Sequence, residues 1–164
     1  MKHIKIWSLM AMMVVAMTSC GGSNENGGNE DTGLGEALTV NTLAGEWHLT
    51  SWGANDEIGD VYISFAADGT FDLYQLVYHA GYDHYTGRYS LERDGRLLTG
   101  VYSDNVPWAT SYACGINAAG TTLNMLSQNN ESVLSVYTKT SIPDDVKNGV
   151  ITKAAAGEDE VRWL

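Results

Sequence analysis

The chain has 164 residues, with 20 Asp and Glu against 9 Lys and Arg, and a formal net charge of −11. So acidic a balance argues against nucleic acid as a partner and against docking on anionic lipid, because both attractions require a cationic surface. With 44% hydrophobic residues and only two prolines, the composition is that of a globular protein with one core.

The chain opens with a basic stretch, Met1-Lys2-His3-Ile4-Lys5, followed by Ile6 to Met17 without a charge. This order matches a secretory signal too short to stay in a bilayer as a spanning helix. At Met17-Thr18-Ser19-Cys20 small residues precede a cysteine, which resembles the lipobox of bacterial lipoproteins, with Met17 where leucine is usual. The resemblance implies a signal peptide over 1–19 and fatty acylation, of the palmitate kind, on Cys20 as the first mature residue. It also implies a lipid anchor in the outer membrane, facing the periplasm or the cell surface. The alternative is an ordinary signal with a coincidental cysteine. Losing Lys2 and Lys5 leaves 20 acids against 7 bases, a mature charge of −13.

Residues 20–38 read as a flexible acidic tether, since Gly21 to Gly33 holds no large apolar side chain. About twenty such residues span on the order of 25 Å as a coil. Acids soon after an acylated cysteine resemble surface-export signals, and a plain solvated linker explains them equally well. Cys114 is the second cysteine. With Cys20 acylated it has no disulfide partner, and in Tyr112-Ala113-Cys114-Gly115-Ile116 it reads as a small buried hydrophobe.

The folded part is expected over 39–164. Its first strand is Gly45-Glu46-Trp47-His48-Leu49-Thr50-Ser51-Trp52, which alternates behind a Gly-x-Trp. Next, Val61 to Phe65 and Phe71 to Val77 flank Ala67-Asp68-Gly69. A three-residue loop with Gly69 left-handed pairs Phe65 with Phe71, Ile63 with Leu73 and Val61 with Gln75. A second hairpin joins Tyr85–Leu91 to Arg96–Ser103 through Arg93-Asp94-Gly95, setting Leu91 opposite Leu97 and Tyr89 opposite Thr99. Gly87 suggests a barrel corner. The third runs from Trp108 to Ile116, turns at Asn117–Gly120 and returns to Ser127, with Tyr112, Cys114, Ile116, Leu123 and Met125 on one face. Ser132 to Thr140 is the last strand. The pattern predicts an all-β fold, an eight-stranded antiparallel up-and-down barrel, with a β-sandwich as the rival. Pro143-Asp144-Asp145 predicts the start of a short helix. Trp163 and Leu164 are expected to dock on apolar barrel surface, an open end included. If they plug the mouth, the barrel is a scaffold and not a carrier.

Gly45-Glu46-Trp47 resembles the lipocalin signature, and Val136-Tyr137-Thr138-Lys139-Thr140 looks like its closing motif, in which a basic residue packs over that tryptophan. Lys139 stands where arginine is usual. Similarity is stronger to the lipid-anchored lipocalin-like domains of Gram-negative bacteria. They share Leu43 before Gly-x-Trp, an Asp-Gly-Thr-Phe turn at 68–71, and a late Tyr-x-basic-x-x-Ile-Pro from Tyr137 to Pro143. The resemblance implies a binding or scaffolding barrel, with Gly45, Trp47 and Lys139 as its structural signature, and names no ligand.

Extending the registers inward gives Gln75, His79, Tyr89, Thr99, Trp108, Tyr112 and Tyr137 as lining. These aromatic faces with sparse polar groups suit a small amphipathic or aromatic ligand, or else an aromatic-rich filled core. His79-Ala80-Gly81-Tyr82-Asp83-His84 holds two imidazoles and a carboxylate, fewer ligands than a structural zinc site, and more often such a stretch is a solvated loop. No metal, cofactor or catalytic residue is assigned, since nucleophile elbow, phosphate loop and metalloprotease motifs are absent from the sequence. Three readings remain. A small-ligand binder expects a cavity shared by Tyr89 and Tyr112. An interaction module, an inhibitor or a subunit of an envelope complex, expects a filled barrel with an apolar patch near Trp52, Tyr82 or Trp108. A metal-dependent enzyme expects His79, Asp83 and His84 to converge.

Overall fold

Side chains that alternate along a strand lie on two faces, and when a sheet curls shut those faces become an interior and an exterior. A computed structural model describes residues 33–55, 59–77, 80–129, 133–150 and 161–164, and it has that form. A one-turn helix, α1 (Val40–Leu43), precedes β1 (Gly45–Trp52), β2 (Asp60–Phe65), β3 (Thr70–Leu76) and β4 (Asp83–Glu92). Then come β5 (Leu97–Tyr102), β6 (Tyr112–Ile116), β7 (Thr122–Ser127), β8 (Leu134–Lys139) and a short helix, α2 (Asp144–Asn148). Each strand pairs antiparallel with the next and β8 pairs with β1, so the barrel is closed and the sandwich is excluded.

The β2–β3 hairpin has the expected register, with Phe65 opposite Phe71, Ile63 opposite Leu73 and Val61 opposite Gln75. Gly69 holds φ at +86°, where a side chain would be strained. Tyr112, Cys114, Ile116, Leu123 and Met125 are all buried, as expected of one inward face. The β4–β5 hairpin corrects the expectation by one residue: Leu91 faces Leu98, Ser90 faces Thr99 and Tyr89 faces Gly100. The turn is longer by one position because Arg93 and Asp94 themselves adopt φ near +50°, alongside Gly95 at +81°. The slip reverses every side chain of the returning strand. Leu98, Gly100 and Tyr102 point inward, and Thr99 points out, with its hydroxyl 3.4 Å from Glu92. Trp108, expected on a strand, lies in the β5–β6 connection, where its ring packs over Gly100.

Residues 34–38, expected at the end of the tether, belong to the folded unit. Leu34 and Leu38 are buried, Glu36 pairs with Ile116, and the Leu38 N–H donates to Gly95. Two leucines supply enough apolar surface to hold a short segment against the barrel despite the glycines around them. α2 closes over the outer wall, where Ile142 and Val146 pack on Tyr62, flanked by Tyr74 and Tyr82. On that wall the His48 ring stacks on Tyr62 at 4.4 Å and the Tyr74 ring on His84 at 4.4 Å. A carboxylate holds each imidazole, Asp60 at 2.7 Å and Asp72 at 2.8 Å respectively.

The corrected register can be checked by two substitutions. A Cβ on Gly100 would fall 2.2 Å from the Trp108 ring, so Gly100→Ala should cost about 1–3 kcal/mol in urea unfolding. Thr99→Ala, on the outer face, should stay within about 0.5 kcal/mol. The reverse order would restore the three-residue turn.

Candidate functional site

One end of the barrel, the mouth, is formed where β1, β3, β5 and β7 finish and β2, β4, β6 and β8 begin. The side chains that reach it come from separate strands. Strict alternation along β1 would turn Trp52 outward, but a bulge between Leu49 and Ser51 restores it to the inward side, opposite Ser135. Gln75 ends the inward row of β3 and Tyr102 that of β5, while Tyr137 lies one step deeper on β8.

Val161–Leu164 fills this mouth, and each of its residues has a specific partner. Gln75 Nε2 donates to the Val161 carbonyl at 2.8 Å, and its Oε1 accepts the Trp163 N–H at 2.8 Å. Arg162 makes a fork to the Asp104 carboxylate at 2.5 and 3.0 Å, with its guanidinium over the Tyr85 and Tyr102 rings. Trp163 donates from Nε1 to the Tyr137 hydroxyl at 2.9 Å and lies against Trp52. The Leu164 side chain is buried. Its main-chain oxygen accepts from the Tyr102 hydroxyl at 2.8 Å, and its N–H donates back to the same hydroxyl at 3.2 Å.

The expected lining is therefore brought together only in part. Gln75, Tyr112 and Tyr137 converge on the mouth, with Trp108 beside Tyr112 at a ring separation of 6.1 Å. Tyr89 faces inward at the opposite end, its hydroxyl on the Ala66 carbonyl and its ring against Phe65. Thr99 is outside the wall, and His79 lies outside the described residues. Asp83 and His84 are consecutive in β4 and face opposite sides, so they do not converge, and no group of three metal-ligating side chains occurs among the described residues. Trp52, Tyr82 and Trp108, expected as an apolar patch, are each packed against other rings. Tyr102 was hidden by the misplaced register, and the longer β4–β5 turn is the signal that reveals it.

Below the mouth the interior is packed. Trp47, Leu49, Ile63, Phe65, Phe71, Leu73, Leu98, Leu123, Met125 and Tyr137 each expose 2% or less. Side chains around a ligand-sized cavity would keep accessible surface, and these do not. Burial raises the Tyr102 and Tyr137 phenols well above the ordinary value, pushes Tyr112 up to about 12 and the Cys114 thiol up to about 12. A thiol so raised is protonated at neutral pH and is no nucleophile. The Arg162 hydrogen bond holds Asp104 down at about 2. Beside Arg162 a groove of 310 Å³ continues along the rim, lined by His84, Tyr85, Thr86, Ser103 and Asp104.

The opposite end is closed by a buried indole. Trp47 is fully buried and donates from Nε1 to the Leu43 carbonyl at 2.9 Å, while the Lys139 ammonium sits 5.0 Å over its ring and donates to the Ala44 carbonyl. Gly45 is held at φ +136°, and a Cβ there would meet Lys139 Cε at 2.7 Å. The fold is lipocalin-like. No family model matches the chain, and no curated protein matches it. Among solved structures, a lipocalin-like protein from Bacteroides uniformis is 18% identical, with a TM-score of 0.48 over 60% of this chain and 99% of that one. A second Bacteroides uniformis protein is 13% identical, with a TM-score of 0.48 over 65% and 96%. A provisionally assigned lipoprotein from Shewanella oneidensis is 18% identical, with a TM-score of 0.40 over 66% and 100%.

Two outcomes are expected. Gln75→Ala leaves two main-chain groups of the closing segment without their partner in a half-buried place and should cost about 1–2 kcal/mol in unfolding. The pH profile has a definite sign. An unfolded chain loses the Cys114 proton near pH 9 and the Tyr112 proton near 10, while the folded barrel keeps both to about 12. The unfolded state thus holds fewer protons in that window, so stability is intact below pH 9 and falls above it by about 1.4 kcal/mol per pH unit for each group. Urea midpoints measured from pH 8 to 11 test this, and Cys114→Ala should remove the earliest part of the loss.

Proposed function

We propose that the protein is a lipoprotein of the outer membrane, anchored through acylated Cys20, whose lipocalin-like barrel is an interaction module at the cell envelope. One observation carries the reading: the mouth through which a small ligand would enter is occupied by Val161–Leu164, above an interior that is already packed. A carrier needs an enclosed volume of several hundred Å³. Tyr89, which an open cavity would share with Tyr112, turns its hydroxyl to the Ala66 carbonyl in the β2–β3 turn, away from the closing segment. The reading assigns the protein no reaction and no cofactor. The mature charge of −13 keeps the barrel itself off anionic lipid, so the acyl chain alone holds it to the membrane. A second reading, a small amphipathic or aromatic ligand, draws support from Gln75, Tyr112 and Tyr137 meeting at the mouth, and would require that ligand to displace the segment.

Native mass spectrometry of the protein extracted in mild detergent from its own cells should give the mass of the acylated chain without a small-molecule adduct. An adduct lost on denaturation would favour the carrier. Cys20→Ser should move the protein out of the membrane fraction and abolish labelling by radioactive palmitate.

A further inference from the structure

We propose that the mouth is a peptide-binding site of defined register, for which Val161–Leu164 is the resident occupant, and that it takes extended segments in which an arginine, an aromatic and an aliphatic residue follow one another behind a position held only by its main chain. The proposal rests on the interaction-module reading and names the chemistry of the partner.

The way the segment is held carries the inference. A plug needs only apolar bulk, yet here the main chain is read by polar side chains. The Gln75 amide takes a carbonyl and gives an acceptor to an N–H two residues along, which is how a neighbouring strand would treat an extended chain. The Tyr102 hydroxyl repeats the pattern on Leu164, donating to its oxygen and accepting from its N–H. Main-chain contacts of this kind give affinity without regard to sequence, and pockets for the side chains add selectivity.

Those pockets differ in chemistry. Asp104 and the faces of Tyr85 and Tyr102 suit a planar guanidinium better than an ammonium, which offers one charge and no flat face. Trp52 offers a ring and Tyr137 an acceptor for an indole N–H. A buried apolar place takes the leucine. Trp52, Gln75, Tyr85, Tyr102 and Tyr137 are carried by five strands of a closed barrel, so the site's frame does not depend on the segment that fills it. The 310 Å³ groove beside Arg162 leaves room for a longer flanking side chain. An acidic protein also draws a cationic peptide toward it.

The test uses the full-length chain and a capped tetrapeptide, acetyl-Val-Arg-Trp-Leu-amide. In the double variant Trp163→Ala, Leu164→Ala the mouth loses its two apolar anchors. The peptide should then bind saturably, shift the Gln75 side-chain amide resonances and raise the unfolding midpoint. Replacing its arginine by glutamate should weaken binding about tenfold or more, and adding Gln75→Ala to the variant should do the same. A folded double variant that ignores the peptide overturns the peptide site, while the filled-barrel reading survives. If the double variant does not fold, the wild-type chain labelled with fluorotryptophan decides. Being part of the same chain, the resident segment competes at an effective concentration of order millimolar. Peptide at about 20 mM should move the Trp163 fluorine signal toward its solvent-exposed position, and an unmoved signal refutes displacement. A small-molecule adduct on the wild-type protein would instead sink the module reading itself.

Discussion

A barrel has no edge strands, but it has two ends, and neither can be closed by hydrogen bonding between strands. Whatever closes them must come from elsewhere in the chain and must satisfy its own polar groups while it buries apolar surface. Much of this protein's irregular structure answers that requirement. At one end α1 and Leu38 lie over a buried Trp47, and Lys139 covers the indole face that remains. At the other, four residues descend among five strands and are held by side chains rather than by a sheet.

The two closures use different physics. The Trp47 end is apolar, with one indole donor matched to one carbonyl and a cation above the ring. Its chemistry gives stability and little selectivity. The mouth combines an amide, two phenols and an indole in a setting largely shut off from water, where each donor left unmatched is costly, with the exposed Asp104 carboxylate at its rim. Such an arrangement discriminates between chains that match it and chains that do not, which is why the mouth and not the base is the place to look for function.

Reading the sequence worked where local turn chemistry and side-chain alternation agreed. The β2–β3 register followed from an Asp-Gly turn that only one loop length could reconcile with three apolar pairs. Tryptophan near the end of the chain announced its docking, although which side chains would receive it was out of reach. The failures have physical causes. Two non-glycine residues at positive φ, Arg93 and Asp94, lengthened a turn that their identities did not mark, and so exchanged Thr99 for Tyr102 in the interior. The bulge that returns Trp52 to the mouth has no signature of its own in Leu49-Thr50-Ser51. Leu34 and Leu38 passed for tether because they follow directly on a glycine-rich acidic tract, and only the barrel they dock on shows that they are folded. His79 lies outside the described residues.

The ring of strands is unequal in one place. β5 and β6 meet at only two positions, Leu97 with Ala113 and Leu98 with Tyr112, whereas β3 and β4 meet at six. Elsewhere along this seam the polar groups are met by chain that is not strand: Trp108 and Val106 bond to Gly100 and Tyr102 above, and Glu36 bonds to Ile116 below. A ring opens at its weakest link. Parted there, the barrel becomes a ribbon ordered β6-β7-β8-β1-β2-β3-β4-β5, a circular permutation of the order in the chain, with two raw edges. What keeps those edges from joining another molecule is the stitching by Glu36 and Trp108, so the loops on either side of the seam guard the protein's solubility as much as its shape.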